Sequence, residues 1–318
     1  MPSIIQLFHP GPEHGYDKSL SKNGQLLKDW HVSVNKNGKP VSHKRKFLSC
    51  KGSYIIDGIK KNGDLLFWGE WEPPSHVEKL EQSECIENPK FLHTPFIPDQ
   101  LSVYQNDLYN GKHRYQNTDP FVFGKYFMYS NCMQKKKSLR ELEEGSLIIF
   151  GSKVNMHFVI DTVFVVKEAA KYHCLDDVEK MNTGLFPEIV TKFITDDKNR
   201  VNEPFGFTLY KSVTFDDREA KAGHGMYSFV PAKVNDGTKK GFPRFIMLKE
   251  FYHSEKPEIK AFRTYFQKPL GGQNIKKSDN ISSEEIYNFW KYIKDEISKE
   301  YVLGYNFKMP GICHVSFG

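Results

Sequence analysis

Ser146-Leu147-Ile148-Ile149-Phe150-Gly151, followed by His157-Phe158-Val159-Ile160-Asp161-Thr162-Val163-Phe164-Val165-Val166, is the stretch that decides the class of fold. The first run is short, apolar and bounded by Gly145 and Gly151; the second is longer and β-branched. Such runs read as strands covered on both faces, so two buried strands joined by a loop are expected here. Asp161 is the exception within them. A carboxylate inside an apolar strand is scarce unless paired or employed, and Arg45 is a suitable structural partner.

Working outward, Ser53-Tyr54-Ile55-Ile56 and Asp64-Leu65-Leu66-Phe67-Trp68 flank Lys60-Lys61-Asn62-Gly63, which reads as a hairpin turning at those residues. Short helices are expected over 138–144 and 187–194, the latter with Pro187 in its first turn. Ser282-Ser283-Glu284-Glu285 is a capping box, and Ile286, Phe289, Trp290, Ile293 and Ile297 follow at helical spacing, a core-facing stripe. The polar, Pro- and Gly-containing stretches 73–100 and 267–281 read as long loops or lobe boundaries. The whole predicts an α+β fold: a mixed, strand-rich sheet core with flanking helices and a C-terminal amphipathic helix. Residues 1–175 would form a strand-rich domain carrying the site. Residues 176–318 would form a helical or mixed lobe packed against it, or continuous with it.

At 318 residues the chain can bury a sizeable core. It has no apolar run of the roughly eighteen residues a membrane span needs, and MPSIIQLFHPGPEH lacks the features of a signal peptide. Cys50, Cys85, Cys132, Cys174 and Cys313 are odd in number and widely spaced, without a CxxC pair, which points to a reducing cytoplasm and no zinc ribbon. The net charge of +6 suits a polyanionic partner. P-loop, GxGxxG, GxSxG and kinase signatures are absent, and neither a metal nor a cofactor is called for.

Polar and aromatic residues concentrate in a few segments. His9-Pro10-Gly11-Pro12-Glu13-His14 follows the apolar run Ile4–Phe8, so a strand would deliver His9 and His14 at a sheet edge as acid or base. In Phe67-Trp68-Gly69-Glu70-Trp71-Glu72, continued alternation would put Trp68, Glu70 and Glu72 on one face and Trp71 on the other. An aromatic beside a carboxylate suits stacking a base and reading its edge. Asn117-Thr118-Asp119-Pro120-Phe121 leads on to Tyr129, Asn131, Cys132 and Gln134, and an Asp before Pro is held extended, its carboxylate aimed. His43-Lys44-Arg45-Lys46 is basic, a solvated face or a contact for phosphates. Further along, His224–Phe229 and Gly241–Arg244 are placed to close such a site.

The phrases HPGPEH, HKRKFL, FWGEWEPPS, NTDPFVFG, FMYSNCMQ and GSLIIFGS, spread over residues 9–166, resemble a family of bacteria and phages associated with genome-modification conflict. That resemblance implies a DNA-acting enzyme recognising a modified base, with an anti-phage DNA glycosylase of glucosylated hydroxymethylcytosine as one candidate. Asp119-Pro120 and His9-Pro10 are also similar to elements of uracil-DNA-glycosylase-like enzymes, although here they occur in reversed order with Gly11 in place of a serine. In this reading Asp119 and Asn117 hold a water, and His9 or His14 stabilises the leaving base. Trp68, Trp71, Phe121 and Tyr129 stack the extruded base, Glu70 or Asn131 reads its edge, and Lys44, Arg45 and Lys46 hold the backbone. Alternatively, the strands around Gly145–Val166 resemble PUA-like barrels, implying a non-catalytic reader that holds a modified base or nucleotide in an aromatic cage. A nucleotide- or NAD-using transferase and an interaction protein of a defence complex are the remaining readings.

Overall fold

The computed structural model describes residues 1–10, 13, 15, 17–22, 25–28, 45–80, 89–99, 118–130, 132–154, 157–173, 206–221, 223–237, 251, 253–265 and 275–313. Its strands are β1 (Ile4–Pro10), β2 (Asp17–Lys22), β3 (Gln25–Lys28), β4 (Lys46–Ile56), β5 (Ile59–Gly69), β6 (Ser75–Lys79), β7 (Phe91–Pro95), β8 (Ile97–Pro98), β9 (Met128–Tyr129), β10 (Leu147–Val154), β11 (His157–Tyr172), β12 (Phe207–Ser212), β13 (Val230–Val234), β14 (Ile275–Ser278), β15 (Val302–Phe307) and β16 (Ile312–Cys313). Helices α1 (Pro257–Phe262) and α2 (Ser283–Ser298) are the described α-helices. The protein is thus strand-rich, with α-helical and β elements in one chain.

One sheet runs β14-β1-β10-β11-β12-β9, with β1 parallel to β10 and the other pairs antiparallel. The other runs β15-β13-β5-β4-β7-β6-β3-β2, with β4 parallel to β7. Strand β15 also pairs with the second half of β4, which closes β4, β5, β13 and β15 into a small ring. The strands at 147–166 lie outside that ring, in the six-stranded sheet. β12 extends the first sheet, while β13 and β15 complete the second, so residues on both sides of position 175 share both sheets.

Three apolar clusters hold these layers. The largest joins Leu48, Phe67, Trp71, Phe123 and Phe307 to Ile5, Leu7, Ile148 and Phe150. A second lies under α2, where Ile286, Phe289, Trp290, Ile293 and Ile297 cover Ile4, Leu147, Ile149, Phe158, Ile160 and Val163. Tyr227, within 224–229, packs its ring edge-on against Trp290 at 5.2 Å, so that segment belongs to this helix-covered side. The third and smallest cluster holds Phe47, Leu66, Trp68, Leu80, Leu92 and Val159. Helix α2 starts at a capping box in which Ser282 Oγ accepts from the Glu285 amide and the Glu285 carboxylate accepts from the Ser282 amide.

Several local expectations change. The β4–β5 hairpin forms, but it turns at Asp57-Gly58 and not at 60–63. Both residues have positive φ, 52° and 75°, the requirement of a two-residue type I′ turn, while Lys60–Gly63 continue the ladder opposite Gly52–Ile55. Gly151 does not end its strand, since β10 continues to Val154. The expected helix at 138–144 is reduced to a 3-10 turn at Lys137–Leu139. Residues 73–100, expected as loop, contribute β6, β7 and β8, and 267–281 contributes β14. The expected helix at 187–194 and the segment 241–244 lie outside the described residues.

Candidate functional site

The centre of interest follows from an irregularity in the β10–β11 ladder. Phe150 pairs with Thr162 and Gly151 with Ile160, so Asp161 is the extra residue of a β-bulge. Before the bulge Phe158 and Ile160 join the cluster under α2; after it Val163 and Val165 do. The alternation therefore slips by one residue, and Val159 and Asp161 are turned to the opposite side, where Val159 meets Phe47 and Trp68. Gly151 allows this approach: a Cβ there would lie 2.3 Å from the Phe158 ring and 2.5 Å from the Val159 carbonyl oxygen.

Into that position the second sheet delivers an arginine. Arg45, just before β4, donates through Nη1 to Glu70 Oε2, just after β5, and its Nε lies 2.7 Å from Asp161 Oδ2. All three side chains are buried, each with 1% of its side-chain surface exposed. Ser152 Oγ donates to Asp161 Oδ1 at 3.1 Å and accepts from Trp68 Nε1 at 2.8 Å. A polar chain Trp68–Ser152–Asp161–Arg45–Glu70 thus ties the two sheets together. Burial pushes the Asp161 carboxyl up to about 6, against the opposing pull of Arg45 and Ser152. For Arg45 burial acts downward, but Asp161 and Glu70 outweigh it and raise the guanidinium above its ordinary value.

A second group lies beside the first. Asp119, fully buried before the cis Pro120, accepts from the backbone amides of Ser130 at 3.0 Å and Cys132 at 2.5 Å. The Tyr129 hydroxyl donates to the Cys132 carbonyl at 2.7 Å, and its ring stacks on Tyr210 at 5.7 Å. Burial first, then Asp119 and Cys132, hold the Tyr129 phenol well above its ordinary pKa. The groups are joined where the Glu72 amide donates to Thr118 Oγ1 at 2.9 Å.

No family model, curated protein or solved structure matches this chain.

Arg45, Glu70 and Trp68 meet in one buried centre, with Asp161 from the decisive strand. Phe121, Tyr129 and Trp71 lie in the adjoining large cluster, and Asp119 is buried beside it, bound to the turn at Ser130–Cys132. The Trp71 Nε1 donates to the Pro74 carbonyl at 2.8 Å, and Phe121 packs edge-on against Phe123 at 5.5 Å. Arg45 and Lys46 are 1% and 0% exposed, so their place is the interior and not a solvated face over a DNA backbone. His9 has its backbone in β1 opposite Ser152, beyond the reach of β14, which pairs only with Ile4–Leu7. Glu13 bridges to Arg45 through the backbone and accepts from the Lys90 and Phe91 amides. The side chain of His9 and the residues His14, Lys44, Asn117 and Asn131 lie outside the described set. Ser152 was not among the residues singled out from sequence, and a lone serine inside a strand carries no signal that would have found it. Among the described residues no group of His, Cys, Asp and Glu has the arrangement of a metal site, and no helix is long and apolar enough to cross a membrane.

Proposed function

We propose that this chain acts on DNA by recognising a modified base, with the Arg45–Glu70–Asp161 centre as the floor of its site. The observation that carries the reading is this buried arginine with two carboxylates, gathered from three separate stretches of chain. Desolvating such a group costs as much as its ion pairs return, so fold stability gives little reason to keep it. Buried, mutually perturbed titratable groups are instead the usual equipment of a site.

The reaction that suits this centre is cleavage of an N-glycosidic bond. An oxocarbenium-like sugar needs negative charge nearby, and the departing base needs a proton. Asp161, with its carboxyl raised to about 6, gives its proton to the departing base; Glu70, paired to Arg45, supplies the charge; and a solvent water adds to the anomeric carbon, its proton returning to Asp161. Asp119 is engaged by two main-chain amides and so positions the turn at Ser130–Cys132, in place of the water-holding role that its sequence setting implied. That engagement also favours a second reading, a non-catalytic base reader, because it leaves Asp119 without a catalytic part while Trp68, Trp71 and Tyr129 are each held by a hydrogen bond.

Purified protein incubated with matched duplexes bearing cytosine, hydroxymethylcytosine or glucosylated hydroxymethylcytosine separates the two. Mass spectrometry should find free base and an abasic site from one modified duplex, and Asp161→Asn should abolish release while keeping retention. Retention without release by the wild-type protein establishes the reader. Absence of both release and retention rejects the proposal.

A further inference from the structure

We propose that Arg45 reads the edge of a neutral heterocycle through its free Nη2, and that this centre excludes phosphate. The inference rests on the modified-base reading and specifies the chemistry at its floor. Guanidinium carries N–H donors on three nitrogens in a rigid planar fork. Here Nη1 donates to Glu70, and Nε lies in ion-pair contact with Asp161 Oδ2 at 2.7 Å without a hydrogen bond between them, which together set the plane. The third, Nη2, is buried and has no hydrogen-bond acceptor among the described residues. A buried donor without a partner is costly, and a ligand that brings an acceptor removes that cost.

Charge decides which acceptor is suitable. One guanidinium faces two carboxylates, so the three groups never sum to a net positive charge: they sum to 0 while Asp161 holds its proton and to −1 when both acids are ionised. In a buried setting that balance disfavours a phosphate, although an isolated arginine in the sequence invites the opposite conclusion. A carbonyl oxygen or ring nitrogen accepts from Nη2 without bringing charge. Glu70 and Asp161 flank it as acceptors for an adjacent amino or imino N–H. Neighbouring acceptor and donor atoms are the hydrogen-bonding edge of a nucleobase. Ser152, bonded to both Asp161 and Trp68, keeps the second carboxylate in place.

Calorimetric titration tests this with free nucleosides (cytidine, 5-hydroxymethylcytidine, uridine, adenosine and guanosine) and, separately, inorganic phosphate. Wild-type protein should bind at least one nucleoside, and phosphate should neither bind nor compete. Arg45→Lys keeps a cation between the carboxylates but lacks Nη2, and should weaken nucleoside binding by about tenfold or more. If that variant does not fold, Glu70→Gln is the substitute, and the same loss is expected. Phosphate competition, unchanged nucleoside affinity in the folded variant, or no nucleoside binding by wild type each overturns the inference. A modified duplex held equally by wild type and Arg45→Lys overturns the role of Arg45 and leaves the modified-base reading standing. Nucleoside binding that depends on Arg45, with no duplex held, rejects that reading and keeps the heterocycle site.

Discussion

Asp161 carries the most consequence per residue. Its carboxyl is raised from 3.8 to about 6, chiefly by burial, so between those values the folded chain binds more protons there than the unfolded chain. This group's contribution to stability is therefore greatest at low pH and is lost as pH rises through about 6. Urea unfolding across that range should show the wild-type protein losing stability relative to Asp161→Asn as pH rises; a constant difference would contradict the assignment. Asp119 is a different case, because its two oxygens receive the Ser130 and Cys132 amides. Asp119→Asn sets an NH2 group against one of those donors and should cost about 1–3 kcal/mol in the same assay. The oddness of Asp161 was legible in the sequence, and so was an arginine partner, because a charge inside an apolar strand demands one. That Asp119 is bound by the turn eleven residues later was not legible, since main-chain donors leave no trace in residue type.

At the scale of elements, the bulge in β11 is the device that turns Asp161 towards Arg45. Its dependence on Gly151 is specific, because the Val159 carbonyl that a Cβ would meet is backbone and cannot swing aside. Gly151→Ala should destabilise the chain by about 1–3 kcal/mol or more. It should also shift the pH dependence assigned to Asp161, which distinguishes loss of the bulge from loss of packing alone. Apolar runs show that β10 and β11 exist, but a bulge adds one residue without altering composition, and here the glycine that permits it looks like a strand end. The β4–β5 turn was misplaced for a related reason: Lys60–Gly63 is polar enough for a turn, yet Asp57-Gly58 supplies the two positive φ values. Helix α2 is legible from local chemistry, since its cap and apolar stripe are contained in one short stretch.

For the whole molecule, sheet order was beyond the sequence. β1 lies parallel to β10 across some 140 intervening positions, and β13 and β15 return to close a ring with β4 and β5. Those pairings depend on which apolar faces find each other, not on any local signal. The same long-range assembly brings Trp68, Ser152, Asp161, Arg45 and Glu70 together at the seam between sheets, where Trp68 bonds Ser152 and Arg45 pairs with Asp161. The most direct test of a modified-base site at that seam is fluorescence anisotropy at about 0.15 M salt, where surface charge is well screened. Wild-type protein and Glu70→Gln would each be titrated with a glucosylated-hydroxymethylcytosine duplex and its unmodified match. The account predicts at least about tenfold preference for the modified duplex in the wild type, lost in a folded Glu70→Gln protein. Equal affinity for both duplexes, or a preference that survives the substitution, would contradict it.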